Sequence, residues 1–188
     1  MHSIHTTVGF IIDSRPYSEA GKMLSIFTRD FGLIRATAQG IRLEKSKLRY
    51  FSQIYSFGNF SFVKGKEYWR LTNAEDAENF SSEKLMVRLA MLLGRLLHGE
   101  ETNAELFDCI FETAKFLSAN SLSKEKLEIL ESVTVGRILH KLGYIGNDLE
   151  LNQYFNSNDI SLDLLDLLKD KKLTINKHIN KALKESHL

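Results

Sequence analysis

The pattern of hydrophobic and polar side chains over the first 75 residues of the chain is typical of strands. Ile34, Ala36 and Ala38, for example, alternate with polar neighbours, which is the pattern of a strand with one buried face. The run from Thr6 to Ser14 is rich in β-branched and aromatic residues and stops next to Pro16, the single proline of the chain. The pattern predicts five strands, over residues 6–14, 22–29, 34–39, 51–63 and 68–72.

Beyond about residue 82 the apolar spacing changes to that of amphipathic helices. One apolar stripe at this spacing begins at Leu85 and ends at Leu96, and Gly143 marks the end of a later stripe. The predicted helices cover 85–96, 102–117 and 123–142, followed by a polar loop over 147–158 and two short helices capped by Ser161 and Thr174.

Short strands followed only by helices predict a β + α protein with two domains. Five strands of barrel-sized total length fit an OB-fold barrel. We therefore predict an amino-terminal OB-fold nucleic-acid-binding domain over residues 1–78 and an all-α helical domain over 79–188. OB barrels often bind single-stranded nucleic acid, although a fold alone does not establish a function.

Charge is divided unevenly along the chain, although the formal net charge is only +1. Residues 1–70 carry 11 Lys or Arg against five Asp or Glu, whereas the remainder carries 14 against 19. This asymmetry indicates an anionic partner for the first part of the chain. The same cations also fit a solvated loop without a ligand. The densest group lies within fifteen residues and consists of Arg35, Arg42, Lys45, Lys47 and Arg49.

Aromatic residues interleave with this basic segment and follow it. Alternating aromatic side chains in strands usually pack against one another, so most of them are expected in the barrel core. Tyr50 and Tyr68 have charged neighbours and are the expected exceptions. We interpret these two residues as candidate platforms on which nucleic-acid bases stack.

Catalytic and metal-binding patterns are missing from the sequence, which has no HExxH, GxSxG or Walker-type phosphate loop. The single cysteine, Cys109, excludes an internal disulfide and a CxxC zinc site within one chain, and its apolar neighbours predict a buried small hydrophobe. Asp163 and Asp166 fit a solvated acidic helix face. We therefore predict a binding protein with no catalytic residues, no metal and no cofactor.

Three segments between Gly9 and Arg49 resemble the start of the bacterial recombination mediator RecO: GFIIDSRPYSEAG, KMLSIFTRDFGLI and ATAQGIRLEKSKLR. YWRLTNAE at 68–75 and, more faintly, KLGY at 141–144 extend the resemblance to about three quarters of the chain. The resemblance implies an OB domain that binds single- and double-stranded DNA and anneals complementary strands. It further implies that RecR is a partner in loading RecA onto DNA coated by single-strand binding protein.

Carried over onto the matching segments, the resemblance implies a set of DNA-facing cations beside Tyr50 and Tyr68. They are Arg15, Lys22, Arg29, Arg35, Arg42, Lys45, Lys47 and Arg49. Many members of the family hold zinc with four cysteines after the LGY segment. Leu149, Glu150, Leu151 and Asn152 occupy the region of the first cysteine here, so we expect a short, zinc-free variant.

No apolar run approaches the roughly 18 residues that span a bilayer, and the amino terminus lacks the layout of a secretory signal. We therefore expect a cytoplasmic, nucleoid-associated protein without a membrane partner. Three alternatives stay open at this point: an OB-fold RNA-binding protein, a non-catalytic interaction adapter, and a metal-dependent nuclease. Comparing affinity for DNA and RNA, testing strand annealing and adding magnesium to DNA separate them.

Overall fold

A computed structural model describes residues 3–146 and 150–185 of the chain. The chain divides into two compact units, Met1–Ala104 and Glu105–Leu188. The first unit contains five strands and two helices: β1 (Ile4–Pro16), β2 (Lys22–Thr28), β3 (Gly32–Ala38), α1 (Lys47–Phe51), β4 (Ser56–Lys64), β5 (Trp69–Asn79) and α2 (Lys84–Leu96).

The five strands form a closed barrel in the order β1-β2-β3-β5-β4, and β4 pairs back onto β1. Neighbouring strands are antiparallel except β3 and β5, which pair in parallel at Ala36↔Trp69 and Thr37↔Arg70. The short helix α1 lies in the connection between β3 and β4. A five-stranded barrel of this kind, followed by helices, confirms the predicted OB-fold β + α class.

The barrel core is built from the alternation that the sequence shows. Ile34, Ala36 and Ala38 have no exposed surface, whereas Arg35 between them is exposed, so the predicted period of two is confirmed in β3. Gly9 is required on β1 because a Cβ atom at this position would lie 2.8 Å from Cγ2 of Ile26. The buried cluster inside the barrel consists of Ile11, Leu24, Ile26, Ile34, Ala36, Ala38, Ile41, Phe60, Phe62, Trp69, Leu71 and Ala74.

Two elements of the barrel differ from their predicted bounds. The strand predicted to begin at Phe51 begins at Ser56, because residues 47–51 form α1 instead. The fifth strand extends to Asn79 rather than ending at Thr72, because it pairs with β4 as far as Ser56↔Asn79. The barrel therefore ends at Asn79, while the first unit continues through α2; a domain boundary between residues 78 and 79 stays a prediction.

The second unit is helical and is organised around its longest helix, α4. Its helices are α3 (Ala104–Ala119), α4 (Lys124–Lys141), α5 (Asn152–Asn156), α6 (Leu162–Leu167) and α7 (Lys172–Glu185). Helix α4 contacts α5, α6 and α7. The side chain of Ser123 accepts a hydrogen bond from the Lys126 N–H at the start of α4, and Gly143 follows its end with a φ of +79°.

The carboxy-terminal predictions are confirmed in part. Ser161 caps α6, since its side chain accepts a hydrogen bond from the Leu164 N–H at 3.1 Å. The last helix begins at Lys172 rather than after Thr174, and α5 lies within the predicted loop. Residues 147–149 of that loop lie outside the described residues, and they include Leu149, which is in the region where the first zinc cysteine of the family falls. Within the described part of the chain, no helix is both long and apolar enough to span a membrane.

Arg137 on α4 is the largest fully buried side chain of the protein. Its Nε donates a hydrogen bond to the Tyr154 carbonyl at 2.8 Å, and its Nη2 donates to the Asp159 carbonyl at 2.9 Å. Burial lowers the pKa of this guanidinium from its usual value. Cys109 is also fully buried, as predicted, and burial raises the pKa of its thiol. Arg137 therefore ties the backbone after α4 to the interior of the helical unit.

Candidate nucleic-acid interface

One outer face of the barrel is formed by β1, β2 and β3. The strand registers place Asp13, Ser25 and Arg35 in one row across the three strands, and Arg15 lies opposite Met23 in the next row. Side chains of one row point to the same side of a sheet, so these residues share the solvent side. We call this surface the cationic face; Arg15 and Arg35 are its exposed cations.

Two loops border the cationic face, and each contributes a tyrosine. Tyr17 belongs to the β1–β2 loop and Tyr68 to the β4–β5 loop. Their ring centroids lie 6.3 Å apart with an interplanar angle of 71°, and Tyr17 is 46% exposed. Edge-to-face pairing at this distance is a favourable aromatic geometry. The pair presents aromatic surface beside two guanidinium groups.

The basic loop, residues 40–50, connects β3 to α1 and includes most of that helix. It is anchored by Ile41, which is 2% exposed, and by the partly buried Leu48. The Arg42 N–H donates to the Ala20 carbonyl at 3.1 Å, which joins the basic loop to the β1–β2 loop. Tyr50 is 72% exposed. The anchored backbone leaves four cationic side chains exposed: Arg42, Lys45, Lys47 and Arg49.

A cavity of about 760 Å³ lies between the cationic face and the carboxyl-terminal half of α2. Helix α2 packs against β1, and Gly94 lies beside Ile12, since an added Cβ there would be in van der Waals contact with Cδ1 of Ile12 at 3.8 Å. The segment after α2 is joined to β3, because the Leu33 N–H donates to the Gly99 carbonyl at 3.2 Å. The polar and aromatic side chains that line the cavity include Arg15, Arg35, Arg95, His98, Tyr55 and Tyr68.

Three acidic residues also line this cavity, and two of them are paired. Asp13 accepts a hydrogen bond from Arg15 Nε at 2.8 Å. Glu100 accepts from Lys64 Nζ at 2.9 Å and from the indole N–H of Trp69 at 2.7 Å. Glu67 is exposed on the β4–β5 loop. Arg35 and Arg95 make no ion pair with any residue in the described ranges, so both remain available to an anionic ligand.

The hydrogen bond from Lys64 and that from Trp69 hold the pKa of the Glu100 carboxyl below its usual value of 4.5. Because the folded-state pKa is lowered, the stabilisation is present above the unfolded-state pKa and is lost as pH falls through the folded-state pKa. Trp69 is the single tryptophan of the chain, so its fluorescence reports this step. We expect an acid transition in tryptophan emission below pH 4.5 that Glu100→Gln abolishes. The neighbouring Glu101→Gln serves as the control, and a transition that persists in Glu100→Gln contradicts the assignment.

The residues predicted from sequence are brought together only in part. Arg15, Arg35 and Tyr68 line the cavity, and the basic loop carries five more of them. Lys22 begins β2 on the inward side of the strand, at the barrel mouth, because it alternates with the outward-facing Met23. Arg29 follows the other end of β2.

The sequence analysis did not single out Tyr17, Arg95 or His98 as site residues. Tyr17 could have been found from its place beside Arg15 in a loop next to a strand end. Arg95 and His98 lie on and after a helix that the sequence assigned to the other domain, so no local signal connected them with the cationic face. In the described part of the chain, no cluster of three or more His, Cys, Asp or Glu side chains is arranged to hold a metal.

Comparison with known proteins matches residues 1–80 to the family described as recombination protein O N terminal. A DNA repair protein RecO of Halalkalibacterium halodurans is 26% identical over 121 residues, which cover 61% of this chain and 48% of that protein. The RecO protein of Clostridium perfringens is 27% identical over 161 residues, or 79% of this chain and 65% of that protein. That of Listeria welshimeri is 36% identical over 74 residues, or 39% and 29% of the two chains.

The matches therefore span about half to two thirds of the length of the relatives that align most extensively. They confirm the resemblance drawn from the three amino-terminal segments, all of which lie inside the matched family domain. The amino-terminal part of the chain, residues 1–80, is therefore similar to the amino-terminal domain of the RecO family.

Proposed function

We propose that this protein binds DNA through the cationic face and the basic loop and acts as a recombination mediator in DNA repair. The main support is position: OB folds bind oligonucleotides on the face around strands 2 and 3 and on the β1–β2 and β4–β5 loops. In this barrel the same surface carries Arg15, Arg35, Tyr17 and Tyr68. The names of the relatives, DNA repair protein RecO, agree with this role.

In the proposed mechanism, exposed cations capture the sugar-phosphate backbone, and each neutralised phosphate releases condensed counterions. Guanidinium groups suit this task because their planar donors match phosphate oxygens. The tyrosine pair and Tyr50 offer surfaces on which bases of any sequence stack. Affinity that depends mainly on phosphates and stacking carries little sequence preference, so we expect binding without sequence specificity.

We further propose that the protein anneals complementary strands and binds both single- and double-stranded DNA. The basic loop adjoins the cationic face through the Arg42–Ala20 hydrogen bond, which places two cationic surfaces side by side for two backbones. Base pairing lowers the free energy once the repulsion between the two strands is screened. Annealing therefore needs no nucleotide and no catalytic residue. The proposal includes RecR and single-strand binding protein as partners in loading RecA, in the cytoplasm.

The test is annealing of two complementary oligonucleotides, with and without single-strand binding protein, at two salt concentrations and without nucleotide. We expect acceleration that weakens as salt rises, and strands that stay intact when magnesium is added. Binding without acceleration overturns the annealing role and favours an adapter, and tighter binding of matched RNA favours an RNA-binding protein. A second assay, RecA activity on coated single strands with and without RecR, tests the loading role.

A further inference from the structure

The cavity beside α2 is enclosed on two sides, whereas the basic loop is an open surface. The cationic face forms one wall, and Met91, Gly94 and Arg95 of α2 form the opposite wall. Ser25 lies on the β-strand side, in the row between Asp13 and Arg35. A volume of about 760 Å³ falls within the range of small-molecule sites. The cavity therefore has room for a single nucleotide unit.

The lining of the cavity combines the two kinds of surface that a nucleotide requires. Aromatic and apolar side chains suit the flat face of a base: Tyr55, Tyr68, Ile12, Leu33 and Leu97. Arg35 and Arg95 suit a phosphate, since neither is ion-paired within the described ranges. Among the described residues, Glu67 is the one acid of the three without an ion-pair or hydrogen-bond partner, and its single negative charge is smaller than the two positive charges of Arg35 and Arg95.

A base inside a duplex cannot reach such a cavity without leaving its stack, which is unfavourable in free energy. For an unpaired base this free-energy penalty is small. We propose that the cavity holds one unpaired nucleotide of a bound single strand, with Tyr68 against the base and Arg35 and Arg95 on the phosphate. This inference rests on the proposed DNA binding and adds to it a preference for single strands, which α2 and the cationic face provide together.

The experiment compares the affinity of the full chain for an oligothymidylate and for a blunt duplex of equal length, by fluorescence anisotropy. Arg95→Ala removes a proposed phosphate contact, and Ser25→Phe fills the cavity without changing charge. Lys84→Ala is the matched control, because it removes one cation from the same helix about 16 Å from Arg95 along the axis. Loss of one stacked base or one phosphate contact predicts an approximately tenfold fall in the ratio of single-strand to duplex affinity for both test variants. The control ratio stays unchanged.

Each outcome has a separate meaning. A ratio that stays at the wild-type value in both test variants overturns the nucleotide site but leaves DNA binding intact. A wild-type protein that binds neither oligonucleotide overturns the proposed function instead. Tryptophan emission and thermal unfolding monitor the fold of Ser25→Phe, and the exposed Arg95→Ala keeps the test decisive if that variant is unstable.

Discussion

Replacing Arg42, Lys45, Lys47 and Arg49 together by alanine will weaken DNA binding on the order of 100-fold near 0.1 M salt. Each phosphate contact on a single strand contributes about 0.7 to the salt-dependence slope, so the slope will become shallower by nearly 3. The free energy of unfolding will change by less than about 1 kcal/mol, because all four side chains are exposed and the loop is anchored by Ile41 and Leu48. Titrations at several salt concentrations measure both binding quantities.

The control for this variant removes the same number of positive charges from the helical unit. Lys124, Lys177, Lys181 and Lys184 are exposed on α4 and α7, and their replacement by alanine gives the same change in net charge. We expect the control to bind DNA within a few-fold of the wild type, because none of its four lysines belongs to the proposed interface. Equal loss in both variants, or no loss in the first, contradicts the position of the interface on the basic loop.

Arg137→Ala will destabilise the helical unit by about 3–5 kcal/mol. The substitution removes a fully buried side chain and leaves the carbonyls of Tyr154 and Asp159 without their guanidinium donors. The backbone over residues 154–159 then loses these two hydrogen bonds to α4. Chemical unfolding followed by circular dichroism measures the change, because the helices of this unit dominate the signal.

A second variant at the same position separates the contributions of charge and geometry. Arg137→Lys keeps a positive charge but has no planar fork that reaches two carbonyls, so we expect most of the destabilisation to remain. A loss below about 1 kcal/mol in Arg137→Ala contradicts the structural role, since the buried volume and both acceptors would then cost almost nothing.

The part of the fold that follows from local pattern was predictable. In β3, the alternation of Ile34, Ala36 and Ala38 with polar residues is enough to orient the strand. The second half of β5 was not predictable, because residues 73–79 contain Asn, Asp and Glu and little apolar surface. That segment is a strand because β4 supplies hydrogen-bond partners as far as Ser56↔Asn79, a tertiary effect. Helix α1 is too short to show a period.

The candidate site also has one part that was predictable from local sequence and one part that was not. The cations of the basic loop are close together in sequence, so composition alone located them. The cavity combines Arg15, Arg35 and Tyr68 with Arg95, which enters from a helix far along the chain. Only the packing of α2 on β1 brings that helix to the site, and helical periodicity shows that α2 has a buried face without showing what covers it.

Strand β1 pairs with a strand on each side, and this pairing also constrains the order in which the barrel folds. This strand pairs with β2 nearby in sequence and with β4 through contacts as distant as Ile4↔Val63. As the chain leaves the ribosome, the β1–β2–β3 meander can form early, but its open edges stay exposed until β4 and β5 have been synthesised. Closing long loops is slow compared with forming local helical contacts. Ring closure is therefore expected to be the late, slow step of folding, and the interval before it the period in which the nascent protein is most prone to aggregate.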